Sequence, residues 1–499
     1  MSSPSAGGPP TATASLRTNA LSTADIAFFV VSAAAPLTVM AGVAPLGLLR
    51  GGIGAPAAYL AAGLTLTVFA VGFTTMSRHV RHGGGFYAYI TRGLGRPAGF
   101  AAALLALLGY LGMGIGVYGL LGSATHATLL SLTGWNLPWP AIAIAGLLVI
   151  WYGGFRSISF GAKVLGVLLV AETGILVLLA AAVLAKGGAH GLSLDAFAAG
   201  NLTAAGMPGV LAMAFAAFTG FESTVIYRRE AKDPARTVPR ATYIAVAFLG
   251  LFYAFIVWTI IQAVGDRQVV AAAAEDPSGL FFTAIGTYVG PWAADAMHVL
   301  IVSSLIASLL AFHNATNRYG LALAEEGVLP KALGRIHSEH GSPYVAGLAQ
   351  TLLGIIVVTA FALAGADPYT QLLIWVNTPG MLALLTLQLL VALAVPLYFR
   401  KPAHDEGAVR TVVAPAAAVL LLGTALWLVV SNIGLLTDAS DTVNTVLLVP
   451  VPLVLLAGLG YALWARSARP GVYAAFAAEP DEHGDDGAAE TAALTTKPS

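Results

Sequence analysis

The chain has 499 residues, no cysteine, and 24 basic against 24 acidic residues, so its formal net charge is zero. The lack of cysteine excludes disulfide bonds and thiol chemistry, and the balanced charge gives no indication of a nucleic-acid partner. Only 10% of the residues are charged, and apolar segments long enough to cross a bilayer, about 20 residues, recur along the chain. We therefore predict an all-α polytopic membrane protein, because a soluble domain could not enclose so many apolar helices and β-barrel strands would alternate.

Taken in order, the apolar segments predict twelve membrane-spanning helices. Residues 1–20 are rich in Ser, Thr, Ala and Pro and predict a disordered tail before an uncleaved first helix. Residues 21–400 would form the core of ten helices, 401–467 would hold helices 11 and 12, and the acidic residues 468–499 predict a second disordered tail. The predicted spans are 24–49, 56–77, 98–125, 138–154 and 158–185 (helices 1–5, about 24–185), 206–228, 239–265, 289–322, 344–364 and 369–398 (helices 6–10, about 206–398), and 410–434 and 443–466.

The basic residues indicate the orientation of the chain. With these spans, all but three of the 24 Lys and Arg residues fall on one side of the membrane, the exceptions being Arg50, Lys186 and Arg267. Cytoplasmic loops carry the excess of basic residues. We therefore predict a multi-pass protein of the cell membrane with both termini in the cytoplasm.

The first and sixth spans each carry a helix-breaking feature near the middle. Pro36 lacks a backbone N–H and clashes with the preceding turn, and Gly220 lies in the sequence FTGFE of residues 218–222. A simple kink would also explain Pro36 alone. The two spans are five apart, however, so they run in opposite directions, and broken helices at matching positions of two inverted halves are typical of transporter binding sites.

If both helices open, their bare peptide groups can bind a charged solute. Half-helix N-termini suit a carboxylate and C-terminal carbonyls suit an ammonium group, so an amino acid satisfies both. The side chains of Phe218 and Phe221 are explained equally well by packing. The predicted substrate-binding residues are Ala34, Ala35, Pro36, Leu37 and Thr38 in the first break and Phe218, Thr219, Gly220 and Phe221 in the second.

Three motifs resemble the amino acid–polyamine–organocation (APC) superfamily of permeases. Residues 82–89 (HGGGFYAY) are similar to the loop that precedes helix three in that family. Residues 220–241, from GFE to VPRA, resemble its helix-six signature. Residues 317–343, from NRYGLA through EEGVLP to GSP, resemble the signature after helix eight. The resemblance covers about residues 20–400, and helices 11 and 12 fit by position alone. One departure is the sequence of residues 34–38 (AAPLT), where many members have Gly-Ser-Gly.

This resemblance implies a LeuT-type 5+5 inverted repeat with two additional helices. It also implies a secondary active transporter for an amino acid or related amine, working by alternating access and coupled to protons, with sodium as the other possible ion. A polyamine carrier, an exchanger, and a non-transporting nutrient sensor of the same fold are the alternatives. Neither an enzymatic activity, a cofactor nor a metal site is expected, since the sequence has no P-loop and no cluster with metal-ligand spacing. The expected partners are the small substrate and the lipid bilayer; the sequence leaves the oligomeric state open.

Two intramembrane acids are candidates for proton coupling. Glu172 lies in the middle of the fifth span, and charged residues at that depth are functional by default. In several proton-coupled members of the family, a lysine occupies the equivalent place and stands in for a sodium ion. The acid found here would either carry a proton or coordinate a cation. Glu222 resembles the glutamate that is linked to proton sensing in arginine/agmatine exchangers. For both acids a hydrogen bond that joins two helices is the alternative.

Ser303 and Ser304 in the eighth span are candidates for a sodium site. Their hydroxyl oxygens could face the first helix. Serines that let two helices approach closely are the commoner case.

Overall fold

The structure is a computed structural model that describes residues 21–80, 82, 84–156, 162–229, 231–400 and 405–478. The predicted tail 1–20 and residues 479–499 of the second tail lie outside the described residues. The helices are α1 Thr23–Ala34, α2 Pro36–Gly42, α3 Ala44–Gly51, α4 Ala55–His79, α5 Phe86–Leu94, α6 Arg96–Thr133, α7 Trp139–Phe155, α8 Ala162–Lys186, α9 Ala199–Leu202, α10 Met207–Ala217, α11 Pro234–Val264, α12 Val269–Glu275, α13 Leu280–Tyr288, α14 Pro291–Glu325, α15 Tyr344–Leu363, α16 Leu373–Tyr398, α17 Ala414–Ser431, α18 Ile433–Thr437, α19 Asp441–Leu448, α20 Pro450–Ala468 and α21 Pro470–Ala475.

Within these described ranges, eleven helices are long and apolar enough to cross a membrane. The predicted fourth span corresponds to α7, an apolar helix of 17 residues that is shorter than the others. Large apolar side chains such as Leu64, Val167 and Leu420 are exposed on the outer faces of helices, where lipid would cover them. The chain is therefore a multi-pass membrane protein, while the count of twelve spans and the 5+5 repeat stay predictions.

Glycines let the central helices pack at close range. Gly112 of α6 lies against Gly380 of α16, where a Cβ atom on Gly112 would come within 3.1 Å of the Gly380 Cα atom. In the same way, α4 and α11 meet at Gly63 and Gly250, with 3.2 Å between the corresponding atoms. Small residues at such crossings are the usual means of joining helices in lipid. These two pairs of helices surround the broken helices.

Contacts between loops define two ends of the bundle. At one end, which we call the basic end, Leu21 forms a parallel bridge with Ala231 and the carbonyl of Leu21 accepts a bond of 2.8 Å from the Lys232 amide. At the opposite end, Arg50 pairs with Asp438 at 3.0 Å. Each broken helix runs between these ends.

The C-terminal region differs from its prediction. Residues 468–499 were expected to be disordered from their start, but α21 is helical and Phe476 is 1% exposed. The Phe476 ring stacks on Phe100 with centroids 3.9 Å apart, and the Ala477 amide donates to Glu326 at 3.3 Å. The short apolar stretch VYAAF supplies enough surface to dock on the basic end despite the acidic residues that follow.

Candidate functional site

The first broken helix is interrupted at Ala35. Helix α1 ends at Ala34, α2 begins at Pro36, and Ala35 between them has a φ of 47°, in the left-handed region. An alanine there costs about 1–2 kcal/mol, because its Cβ atom approaches the next carbonyl oxygen. Proline at the start of α2 is favourable, since its missing N–H needs no partner at that position.

The second broken helix is interrupted at Gly220. Helix α10 ends at Ala217, and a 3₁₀ segment runs from Phe221 to Arg229. Gly220 has a φ of 110°, a conformation that a residue without a Cβ atom adopts readily. Both interruptions fall where the sequence predicted them.

Glu222 holds the second break together. One of its carboxylate oxygens accepts a hydrogen bond of 3.0 Å from the Gly220 amide, and the other accepts one of 2.9 Å from the Tyr110 hydroxyl on α6. The Ser223 hydroxyl donates to the Gly220 carbonyl at 2.6 Å. The glutamate is 5% exposed, so both bonds are shielded from water.

Glu172 occupies the corresponding place at the first break. Its carboxyl group, on α8, lies beside the backbone amide of Leu37 in the first turn of α2 and the hydroxyl of Ser304 on α14. The Ser304 hydroxyl also lies 2.9 Å from that of Thr38. Ser303 is outside this cluster, since its hydroxyl donates to the Leu300 carbonyl of its own helix.

The sequence prediction of bare peptide N–H groups at both breaks therefore needs a correction. At the second break the Gly220 amide donates to Glu222. At the first break the buried Glu172 lies beside the Leu37 amide. The physical reason is the partial positive charge of a helix N-terminus, which draws in a buried acid. A substrate carboxylate would have to compete with these two side chains.

Two cavities border the breaks. One cavity is surrounded mainly by apolar side chains, and we call it the apolar cavity. The other lies toward the basic end and is called the tyrosine cavity. The apolar cavity is lined by Ala33, Ala34, Thr38, Val39, Val43, Met113, Val117, Leu120, Ala212, Met213, Ala216, Ala217, Thr219, Ser308, Phe312, Leu373, Ile374, Asn377, Thr378, Met381 and Leu436. The tyrosine cavity is lined by Ala33, Phe73, Gly84, Gly85, Phe86, Ala106, Tyr110, Thr219, Gly220, Glu222, Ser223, Tyr227, Ala311, Phe312, Ala315 and Tyr319.

Three residues contribute to both linings: Ala33, Thr219 and Phe312. Ala33 belongs to the last turn before the first break, and Thr219 lies inside the second. The shared wall of the two cavities therefore consists of the broken helices and one phenyl ring from α14.

Some of the predicted binding residues line a cavity, and the others do not. Ala34, Thr38 and Thr219 line the apolar cavity, and Thr219 and Gly220 line the tyrosine cavity. The side chains of the other five belong to neither lining. These residues are Ala35, Pro36, Leu37, Phe218 and Phe221.

Both phenylalanines beside the second break pack in the core. The Phe218 ring lies between Gly63 and Gly250 and meets Tyr253 edge-on at 6.2 Å. Phe221 packs edge-on against Phe69 at 6.2 Å. Their packing explanation is the one that the structure favours.

Several lining residues were missed by sequence reasoning. Tyr110 lies in a glycine-rich stretch of α6, and nothing local marks it as the partner of Glu222. Phe312 and Asn377 likewise sit in ordinary apolar helices. Among the described residues, no group of three or more His, Asp or Glu side chains is placed to hold a metal ion.

Comparison with known proteins gives a consistent set of matches. The profile of the amino acid permease family matches residues 21–456. A transporter of Mycobacterium tuberculosis H37Rv, named as uncharacterised, is 25% identical over 251 residues, which cover 49% of this chain and 54% of that protein. The histidine permease of Lactococcus lactis is 30% identical over 183 residues (36% and 37%), and the branched-chain amino acid permease of Bacillus subtilis is 25% identical over 150 residues (29% and 31%). The chain thus spans about half the length of its mycobacterial relative and less of the other two.

Proposed function

The chain belongs to the amino acid permease family, and from that premise we propose that it is a secondary active transporter for an amino acid or related amine. It works by alternating access across the cell membrane, with the basic end in the cytoplasm, as the distribution of Lys and Arg favours. The observation that carries this proposal is the position of the two breaks in the shared wall of two cavities. A solute held there reaches one side of the bundle or the other when the wall moves.

The head group of the substrate sits at the shared wall. Thr219 lines both cavities and Ser308 lines the apolar one beside it, so their hydroxyl groups face the space next to the breaks. Carbonyl groups at the end of α1 and amide groups at the start of α2 supply the charges that an ammonium and a carboxylate need. This arrangement supports a zwitterion.

Protons drive the uptake by neutralising Glu172 and Glu222, which makes the backbone amides of Leu37 and Gly220 available to the substrate. When Glu172 or Glu222 takes up a proton, it loses the charge that holds it to Leu37 or Gly220, and the freed amide can bind the carboxylate of the substrate. Proton and substrate then favour each other's binding, which is the linkage that a symporter requires. The ionisable groups facing these acids are Tyr253 for Glu172, and Tyr110 for Glu222.

Uptake into proteoliposomes tests the function. We expect purified protein to accumulate a labelled amino acid when an inward proton gradient is imposed, and to bind amino acids in a thermal-shift assay. Binding without any uptake would instead indicate a sensor. Uptake that depends on a sodium gradient and does not change with pH would indicate that sodium, not the proton, is the coupling ion. Glu172, Ser304 and Thr38 would then bind this sodium ion.

Neutral variants test each acid separately. Glu172→Gln and Glu222→Gln resemble the protonated acids, because they lack the negative charge that competes for the amide, and they cannot carry a proton. We expect each to bind substrate and to lose the stimulation of uptake by the proton gradient. Glu275→Gln, an exposed acid at the end of α12, is the matched control. A variant whose pH dependence equals that of the parent excludes its residue from coupling.

A further inference from the structure

We propose that the transported substrate is an amino acid with a neutral, apolar side chain, and that this side chain occupies the apolar cavity. The inference rests on the proposed function and adds the substrate class.

The composition of the apolar cavity is the first observation. Its wall is formed by side chains such as Val39, Val117, Met213, Ile374 and Met381, which come from four different helices and converge on one space. None of the described residues that line it carries a charge. A charged side chain placed here would lose its water without gaining a partner of opposite charge.

Three polar side chains in the same wall, Thr38, Asn377 and Thr378, already have partners. Thr38 lies 2.9 Å from Ser304, and the Thr378 hydroxyl donates to the Ile374 carbonyl at 2.7 Å. Asn377, with its amide oriented to satisfy both neighbours, donates to the carbonyls of Met113 at 3.0 Å and Gly112 at 3.1 Å. Thr38 and Asn377 join two helices and Thr378 bonds within α16, so these three are not available to a polar side chain on the substrate. The Thr219 and Ser308 hydroxyls are taken by the head group in the proposed binding mode.

The acids of the site lie elsewhere. Glu222 lines the tyrosine cavity, on the other side of the shared wall, and its carboxylate is bonded to Tyr110 and Gly220. Glu172 is 4% exposed behind α2 and belongs to neither lining. The distal amine of lysine or of a diamine, extended into the apolar cavity, would face methyl and thioether groups only. Cationic amino acids and polyamines are therefore disfavoured.

A substrate panel tests the assignment. Proteoliposomes are offered leucine, isoleucine, methionine and phenylalanine in one set, and lysine, glutamate and putrescine in the other. We expect apolar amino acids to be taken up with a specificity constant at least about tenfold higher, since an unmatched polar group in an apolar pocket is rejected by that order. If lysine, glutamate or putrescine is taken up as well as the apolar amino acids or better, the proposed substrate class is wrong, although the protein is still a transporter. No uptake of any member overturns the transporter and the inference with it.

Variants at Val117 test the position of the side chain. Val117, half-buried on α6, lines the apolar cavity. Val117→Phe should shift the preference from phenylalanine toward valine by about tenfold, since it removes space from the pocket. Val117→Asp should raise lysine uptake relative to leucine, whereas the isosteric Val117→Asn should lower leucine uptake without this gain. Melting curves show which variants fold. Folded variants with the parent's preferences overturn the proposal.

Discussion

The conformation of Gly220 predicts the effect of replacing it with alanine, which adds a single methyl group. A Cβ atom at this position would meet only Ala33, at 4.0 Å, so space is not the obstacle. Its φ of 110° is the obstacle, and Gly220→Ala should lower the free energy of unfolding by about 1–3 kcal/mol. Melting of the purified variant measures this loss.

Gly174 offers a matched control for that substitution. It is a helical glycine of α8, and a Cβ atom added to it would meet nothing within 4 Å, so Gly174→Ala should stabilise the fold by about 0.5–1 kcal/mol. If both substitutions had the same effect, backbone strain at the break would not be the cause.

Glu406 gives the chain a predictable response to acid. Partial burial would raise the pKa of Glu406, but hydrogen bonds and ion pairs with Arg410 at 3.2 Å and Arg78 at 3.3 Å outweigh it and hold this pKa below 4.5. An acid with a lowered pKa stabilises the fold above its unfolded pKa, and this contribution disappears as the pH falls through the folded pKa.

Replacement of Glu406 should therefore matter at neutral pH only. Glu406→Gln should lower the stability by about 1 kcal/mol or less near neutrality, because both arginines are partly exposed and water screens the pairs. The difference from the parent should shrink below pH 4.5. Melting curves across this range measure it, and a difference that persists in acid would contradict the assignment.

At the scale of elements, local signals predicted the eleven membrane-length helices of the described residues and the two breaks, but not the short helices. Pro36 and Gly220 act through their own backbones, so their effect can be read from the sequence. Helix α5 was interpreted as part of a loop, because its nine residues are too few to cross a membrane and only packing reveals its buried face of Phe86, Tyr87 and Ile90. The prediction for residues 468–478 failed for a related reason: the charge of the tail masked a docking segment.

The docked C-terminal segment should contribute measurably to stability. Phe476 contacts Phe100 and Tyr87 and is almost fully buried. Phe476→Ala should cost about 3–5 kcal/mol, the usual loss for a buried phenylalanine, while Phe476→Leu should cost less because it keeps much of the apolar volume. Melting measures both. A Phe476→Ala variant with the same melting temperature as the parent would show that this ring does not hold the segment in place.

At the scale of the whole molecule, the membrane class and the amino acid permease family were predictable, and the assembly of the site was not. The Tyr110–Glu222 bond joins residues 112 apart in the chain, and the contact of Thr38 with Ser304 joins residues 266 apart. Each of these residues has ordinary neighbours in the sequence. Which side chains meet depends on how the helices pack, and local patterns do not carry that information.

Phe312 should control whether the two cavities remain separate. Its ring lines both, and in Phe312→Ala the remaining wall is Ala33 and Thr219. Loss of the barrier should let accumulated substrate leak back, so the variant should equilibrate substrate without concentrating it. Efflux from loaded proteoliposomes measures this, with Phe312→Leu as the control that retains bulk. Undiminished accumulation in Phe312→Ala would place the barrier elsewhere.

The parallel bridge between Leu21 and Ala231 fastens the starting end of α1 to the chain just beyond the 3₁₀ segment, and Phe29 stacks on Tyr227 at 5.6 Å to reinforce it. Helix α1 and the 3₁₀ segment, one from each broken helix, are therefore linked to each other on the same side of the two breaks. We expect these two segments to move together, so a single spectroscopic label attached to one of them should report the displacement of both.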